Sequence, residues 1–139
     1  MTPSSRSKPS RIVQVVAAVI VRGDGRYLLA QRPTGKVYAG YWEFPGGKID
    51  ADESPASALC RELDEELGIQ VTVLQPFMAV HHDYPDRSVD LEFYLVDEWR
   101  GQPAGLEGQG LRWIAAAEID RASLLPANLP VLDALQFRS

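Results

Sequence analysis

The chain has 139 residues, 45% of them hydrophobic and 24% charged, the composition of one globular domain, which excludes disorder along its whole length. Fourteen basic against nineteen acidic side chains leave a net charge of −5, which argues against a nucleic-acid polymer as partner. The longest apolar run, Val15 to Val21, falls far short of the roughly 20 residues that span a bilayer, and one cysteine, Cys60, cannot form an internal disulfide; a cytoplasmic protein with no membrane partner is expected.

The first ten residues are rich in serine and proline and lack an apolar signal core, so a disordered tail over 1–11 and a single domain over 12–139 are expected. Residues 12 to 22 are rich in Val and Ile, Arg26 to Gln31 form a second apolar stretch, and Gly23-Asp24-Gly25 between them reads as the turn of a β-hairpin. Arg32 to Gly47, with its prolines and glycines around Tyr38, Tyr41, Trp42 and Phe44, reads as a long functional loop. Ser54 as N-cap, Pro55 in the first turn and Gly68 past the end define a helix over Pro55 to Leu67, with Ala56, Leu59, Cys60, Leu63 and Leu67 as its apolar stripe. Gln70 to His81 and Val89 to Val96 read as strands joined by a turn at Asp83 to Asp86. A Gly-rich connection from Gly101 to Gly110 precedes a short strand, Leu111 to Ile114, and two helices, Ala115 to Arg121 and Leu129 to Phe137, around a Pro-Ala-Asn-Leu-Pro turn.

On the polar side of the first helix, Glu62 stands three residues from Glu65 and four from Glu66, so the carboxylates repel one another. Each such pair costs about 0.2 to 0.5 kcal/mol, and anions in the last helical turn cost about 0.3 to 1 kcal/mol more. From the acids alone, a solvated surface and a divalent-cation site are equally good readings. A polyphosphate repels attacking water, so its hydrolysis needs cations to neutralise oxygens and acidify a water, and Mg²⁺ or Mn²⁺ prefers carboxylate oxygen. Adjacent His81 and His82 would point to opposite faces of a strand, which argues against zinc.

The stretch Gly47, Glu53, Arg61-Glu62-Leu63, Glu65-Glu66, Gly68-Ile69 resembles the Nudix box, G-x(5)-E-x(7)-R-E-U-x-E-E-x-G-U with U aliphatic, at every specified position. Seven fixed positions coincide by chance at one start point with a probability on the order of 10⁻⁸. Outside the box, Trp42 to Ile49, Tyr84-Pro85-Asp86-Arg87 and Pro126 to Val131 are similar to loops of the MutT-like branch of that family, with Tyr84 standing where the branch has Phe. The resemblance implies an α/β fold, a Nudix-type α/β/α sandwich with a mixed β-sheet, and a small-molecule nucleoside triphosphate as substrate. It implies a monomeric enzyme that hydrolyses 8-oxo-dGTP to 8-oxo-dGMP and pyrophosphate, with Mg²⁺ as cofactor and Mn²⁺ as substitute, in sanitation of the nucleotide pool.

By position, the resemblance assigns the metal to the Gly46 carbonyl and to Glu62, Glu65, Glu66 and Glu107, makes Glu62 the general base, and puts Arg61 and Glu53 in catalysis. It assigns substrate binding to Arg32, Val37, Glu43, Phe44, Pro45, Gly46, Tyr84, Asp86, Arg87 and Asn128, with Asn128 reading the oxidised base. Read locally, Asn128 serves equally well as an N-cap, Phe44 and Tyr84 as core aromatics, Arg32 and Arg87 as surface cations, Asp86 as a turn former and Glu107 as a solvated loop acid. The run Ala39 to Phe44 is also similar to relatives that hydrolyse CTP and 5-methyl-dCTP, the alternative within the family. A non-catalytic nucleotide-binding module is the alternative outside it, one that usually requires lost box carboxylates; here all are present.

Overall fold

The structure is a computed structural model and describes residues 12–138; the tail expected over residues 1–11 lies outside the described residues. Strand β1 (Ile12–Ile20) is the centre of the fold because five consecutive residues, Val16 to Ile20, are buried. Their side chains alternate, Ala17 and Val19 entering one apolar cluster and Val16, Ala18 and Ile20 the other, so both faces of the strand are covered. The remaining elements are β2 (Tyr27–Gln31), β3 (Trp42–Glu43), β4 (Gly46–Lys48), α1 (Pro55–Leu67), β5 (Gln70–Tyr84), β6 (Arg87–Arg100), β7 (Leu111–Ile114) and α2 (Leu129–Arg138). A four-stranded mixed sheet has the order β4-β1-β6-β5, with β1 parallel to β6 and the other pairs antiparallel. A three-stranded antiparallel sheet has the order β3-β2-β7. Helix α1 packs Ala58, Leu59, Leu63 and Leu67 into one cluster, and α2 packs Val131, Leu132 and Leu135 into the other. This is the expected α/β/α arrangement. No helix of the described residues is long and apolar enough to cross a membrane.

Several local expectations are corrected. β1 and β2 are not a paired hairpin: the turn closes through Arg22 N–H to Arg26 O at 2.9 Å and one bridge, Val21 to Tyr27, after which the strands part into different sheets. The segment from Arg32 to Gly47 is not all loop, because it contains β3 and β4. The helix expected over Ala115 to Arg121 is replaced by two 3₁₀ turns, Ala116–Glu118 and Arg121–Ser123, since the Asp120 side chain accepts the N–H of Ala122 at 3.0 Å and starts a new turn. β5 and β6 run further than expected and leave only Pro85 and Asp86 between them. In α1 the buried stripe uses Ala58, while Ala56 and Cys60 are half-buried.

Candidate active site

Two glycines bring α1, β4 and β1 into contact. A Cβ on Gly46 would collide with the backbone carbonyl of Val16, and one on Gly47 would collide with the carboxylate of Glu62. The strand can therefore lie against β1 while the Glu62 carboxylate rests on bare backbone. The helix that carries Glu62 begins at Ser54, whose hydroxyl accepts the Ser57 N–H at 3.1 Å, and ends at Gly68 in a left-handed conformation, φ 71°.

Arg61 organises the base of this wall. Its guanidinium donates to Glu53 at 2.7 and 2.9 Å, to Glu62 at 3.1 Å, to Glu65 at 3.3 Å and to the Lys48 carbonyl at 3.2 Å. The hydrogen bond from Arg61, then that from the Asp50 N–H, holds the Glu53 carboxyl down to about 2, and Glu53 in turn raises the Arg61 pKa. Glu53 is thus a partner of Arg61 and not simply a charge at the helix start. Glu65 does not line the cavity; it is more than half exposed and pairs with Arg61.

Glu62, Glu66 and Glu107 do line the cavity. Burial, then the hydrogen bond and charge of Glu62, then the charges of Glu107 and Glu43, push Glu66 up to about 10. Two carboxyl groups one turn apart cannot both be ionised there without a counter-charge. Among the described residues no three acidic, His or Cys side chains are already drawn together as a cage. The donor set is nevertheless suited to a hard hydrated cation, which takes one or two carboxylates and keeps several waters. Glu107 arrives because its loop satisfies the open carbonyls at the end of α1. Leu106 N–H donates to Glu66 O at 3.0 Å, Gln109 Nε2 to the same oxygen at 3.2 Å, and Ala104 N–H to Leu67 O at 3.1 Å.

A second wall is built from distant segments. Asn128 is buried, 2% exposed, and its Oδ1 accepts the Phe44 N–H at 2.9 Å instead of capping a helix. A backbone N–H can only donate, so the amide orientation is fixed and Nδ2 has no protein acceptor among the described residues. Phe44 belongs both to the cavity and to the core, its ring edge-to-face with Phe93 at 6.2 Å. The Tyr84 hydroxyl oxygen accepts the Ala127 N–H at 3.1 Å. Arg32 donates to both oxygens of Glu43 at 3.1 and 3.3 Å and to the Val37 carbonyl at 2.8 Å, which ties down the loop after β2. Burial pushes the Glu43 carboxyl up against the opposing charge of Arg32.

The cavity between the walls holds about 380 Å³ and includes Arg32, Glu43, Phe44, Pro45, Gly46, Tyr84, Arg87 and Asn128 of the anticipated substrate residues. Val37 and Asp86 do not line it; Val37 is an exposed loop tip whose carbonyl serves Arg32, and exposed Asp86 pairs with Arg87 at 3.2 Å. Lys36, Tyr38, Gln31 and Gln109 line the cavity and escape a sequence reading. For Lys36 and Tyr38 the one available signal is their place in the segment Arg32 to Gly47.

Residues 16–134 match the NUDIX domain. The chain is 40% identical over 125 residues to an 8-oxo-dGTP diphosphatase of Haemophilus influenzae, covering 90% of this chain and 92% of that protein. It is 42% identical over 124 residues to a CTP pyrophosphohydrolase of Escherichia coli, covering 89% and 91%. It superposes with a TM-score of 0.78 on a chain from a study of MutT of Aliivibrio salmonicida and Vibrio cholerae, at 38% identity over 93% of this chain and all of that one.

Proposed function

The chain belongs to the Nudix family of hydrolases, whose members generally work with a divalent metal, and we propose that it is a Mg²⁺-dependent pyrophosphohydrolase that cleaves 8-oxo-dGTP to 8-oxo-dGMP and pyrophosphate. The observation that carries this reading is one cavity with Glu62, Glu66 and Glu107 on one wall and, on another, the buried amide donor Asn128 Nδ2, which has no acceptor among the described residues. A buried donor without a partner is costly and is satisfied by a ligand acceptor. The 6-oxo group of guanine or 8-oxoguanine supplies that acceptor, whereas adenine presents an amino group there and leaves two donors facing each other. The reading includes a cytoplasmic monomer acting on free nucleotides.

The Gly46 carbonyl and the cavity-lining carboxylates Glu62, Glu66 and Glu107 would hold a divalent cation, which would neutralise charge on the polyphosphate and favour ionisation of a water, whereas Glu65, paired with Arg61 outside the cavity, is not placed to join them. Glu62, fixed between Arg61 and the bare backbone of Gly47, takes the proton of the attacking water. Arg61, itself held by Glu53, keeps that carboxylate in place. Arg87, 6.0 Å over the Tyr84 ring, and Arg32 give the cavity positive charge for phosphate oxygens. The water oxygen bonds to the β-phosphorus, the bond from that phosphorus to the α,β-bridging oxygen breaks, and the monophosphate leaves. Turnover in ¹⁸O-water followed by mass spectrometry tests this: label in pyrophosphate and none in the monophosphate is expected. Label in the monophosphate, or release of orthophosphate, contradicts it. A second reading, pyrimidine triphosphates as substrates, is favoured by the identity with the E. coli CTP pyrophosphohydrolase, and cytosine also carries acceptors for the Asn128 amide.

A further inference from the structure

The 3₁₀ turn Pro126–Asn128 carries Asn128, and its own first donors are not satisfied within it. Pro126 has no N–H, and the first donor to close back inside the turn is Asn128 N–H, onto Leu125 O at 2.8 Å. That leaves Ala127 N–H, on a residue only 1% exposed, where an unpaired donor is expensive. Leu125, at the capping position, has no side-chain acceptor to offer. The acceptor comes instead from the end of β5, where the Tyr84 hydroxyl receives the Ala127 N–H at 3.1 Å. The Tyr84 ring also joins other parts of the cavity lining, with Tyr38 at 5.4 Å and the Arg87 guanidinium at 6.0 Å from it, and packs on His82 at 4.4 Å.

Resting on the base-recognition reading above, we propose that Tyr84 is a positioning residue whose hydroxyl replaces the missing N-cap of the turn Pro126–Asn128 and so sets where Asn128 Nδ2 meets the base. Base selectivity in this chain then depends on a hydroxyl oxygen that accepts from the protein backbone. Tyr84→Phe is the informative variant, because it keeps the ring that packs on Tyr38 and Arg87 and removes only the cap.

The test compares Tyr84→Phe, Asn128→Ala and the double variant by steady-state kinetics on 8-oxo-dGTP and dGTP, with amide hydrogen exchange at Ala127 followed by NMR. Tyr84→Phe is expected to raise KM for 8-oxo-dGTP about tenfold, to narrow the preference over dGTP, and to speed exchange at Ala127, with the loss falling in KM and not in kcat. In the Asn128→Ala background the same substitution should change KM by less than about twofold, because its effect passes through Asn128. Unchanged exchange at Ala127, unchanged selectivity in Tyr84→Phe, or full additivity in the double variant overturns the proposal. If Asn128→Ala narrows selectivity and Tyr84→Phe does not, the positioning role alone falls. If Asn128→Ala leaves selectivity intact, the base-recognition reading falls and takes the positioning role with it.

Discussion

Along the acidic wall, Gly47, Arg61, Glu62 and Glu66 come from one strand and the helix that follows it, and only Glu107 arrives from elsewhere. The opposite wall joins Phe44 to Asn128 across 84 positions and Tyr84 to Ala127 across 43. The two also differ in how they are satisfied. The acidic wall crowds like charges until Glu66 holds its proton to about 10, whereas the base-facing wall pairs the Phe44 and Ala127 N–H groups and leaves one amide donor over. On the proposed function, frustration is concentrated where a cation and a nucleophile would act, and hydrogen-bonded order where a base would be recognised.

Substitutions on the two walls should therefore fail in different ways. The largest effect is expected from Glu62→Gln, which should lower kcat by about 10²- to 10⁴-fold while denaturant-derived stability stays within about 1 kcal/mol of wild type. Gly47→Ala should displace the Glu62 carboxylate and cost about 10²-fold in kcat/KM, since small misplacements of a catalytic group are that expensive. Gly46→Ala provides the contrast within the same strand: its Cβ meets backbone, so it should destabilise by about 1 to 3 kcal/mol, read from the urea midpoint. On the other wall, Asn128→Ala should raise KM for 8-oxo-dGTP by about ten- to a hundredfold and orphan the Phe44 N–H, lowering stability by about 1 to 3 kcal/mol.

The smallest effect belongs to an exposed cluster on the β5–β6 hairpin. Hydrogen bonds from His81 to Asp90 at 2.6 Å and to Asp83 at 2.8 Å raise the His81 pKa above 6.5. Its contribution to stability is therefore fully present below 6.5 and is lost as pH rises through the higher folded value. An NMR titration should place the His81 midpoint above 6.5, and Asp90→Asn should move it down; a midpoint at or below 6.5 in the wild type contradicts the pairing.

The acidic wall was legible because its rules are local. Ser54, Pro55 and Gly68 bound α1 where capping chemistry places it, and Glu62 and Glu66 meet because of helical spacing. What escaped depends on partners far along the chain. Nothing between Gly23 and Gly25 says that β1 will take β6 and β4 as neighbours while β2 takes β3 and β7. Gly46 and Gly47 read as loop residues, yet they form a strand because β1 and Glu62 leave no room for side chains there. The Asn128 amide is visible in the sequence as a candidate reader or cap, but its partner, the Phe44 N–H, is fixed only by the folded chain.

Hydrolysis of a triphosphate by the acidic wall and its selection by Asn128 are tested together by one measurement: kcat and kcat/KM for pyrophosphate release from 8-oxo-dGTP, dGTP, CTP and 5-methyl-dCTP in parallel, with Mg²⁺, for wild type and Glu62→Gln. Preference for 8-oxo-dGTP by a wide margin is expected, with kcat for Glu62→Gln lowered by about 10²- to 10⁴-fold on all four. Preference for a cytosine nucleotide, or a kcat near wild type in Glu62→Gln, contradicts this reading.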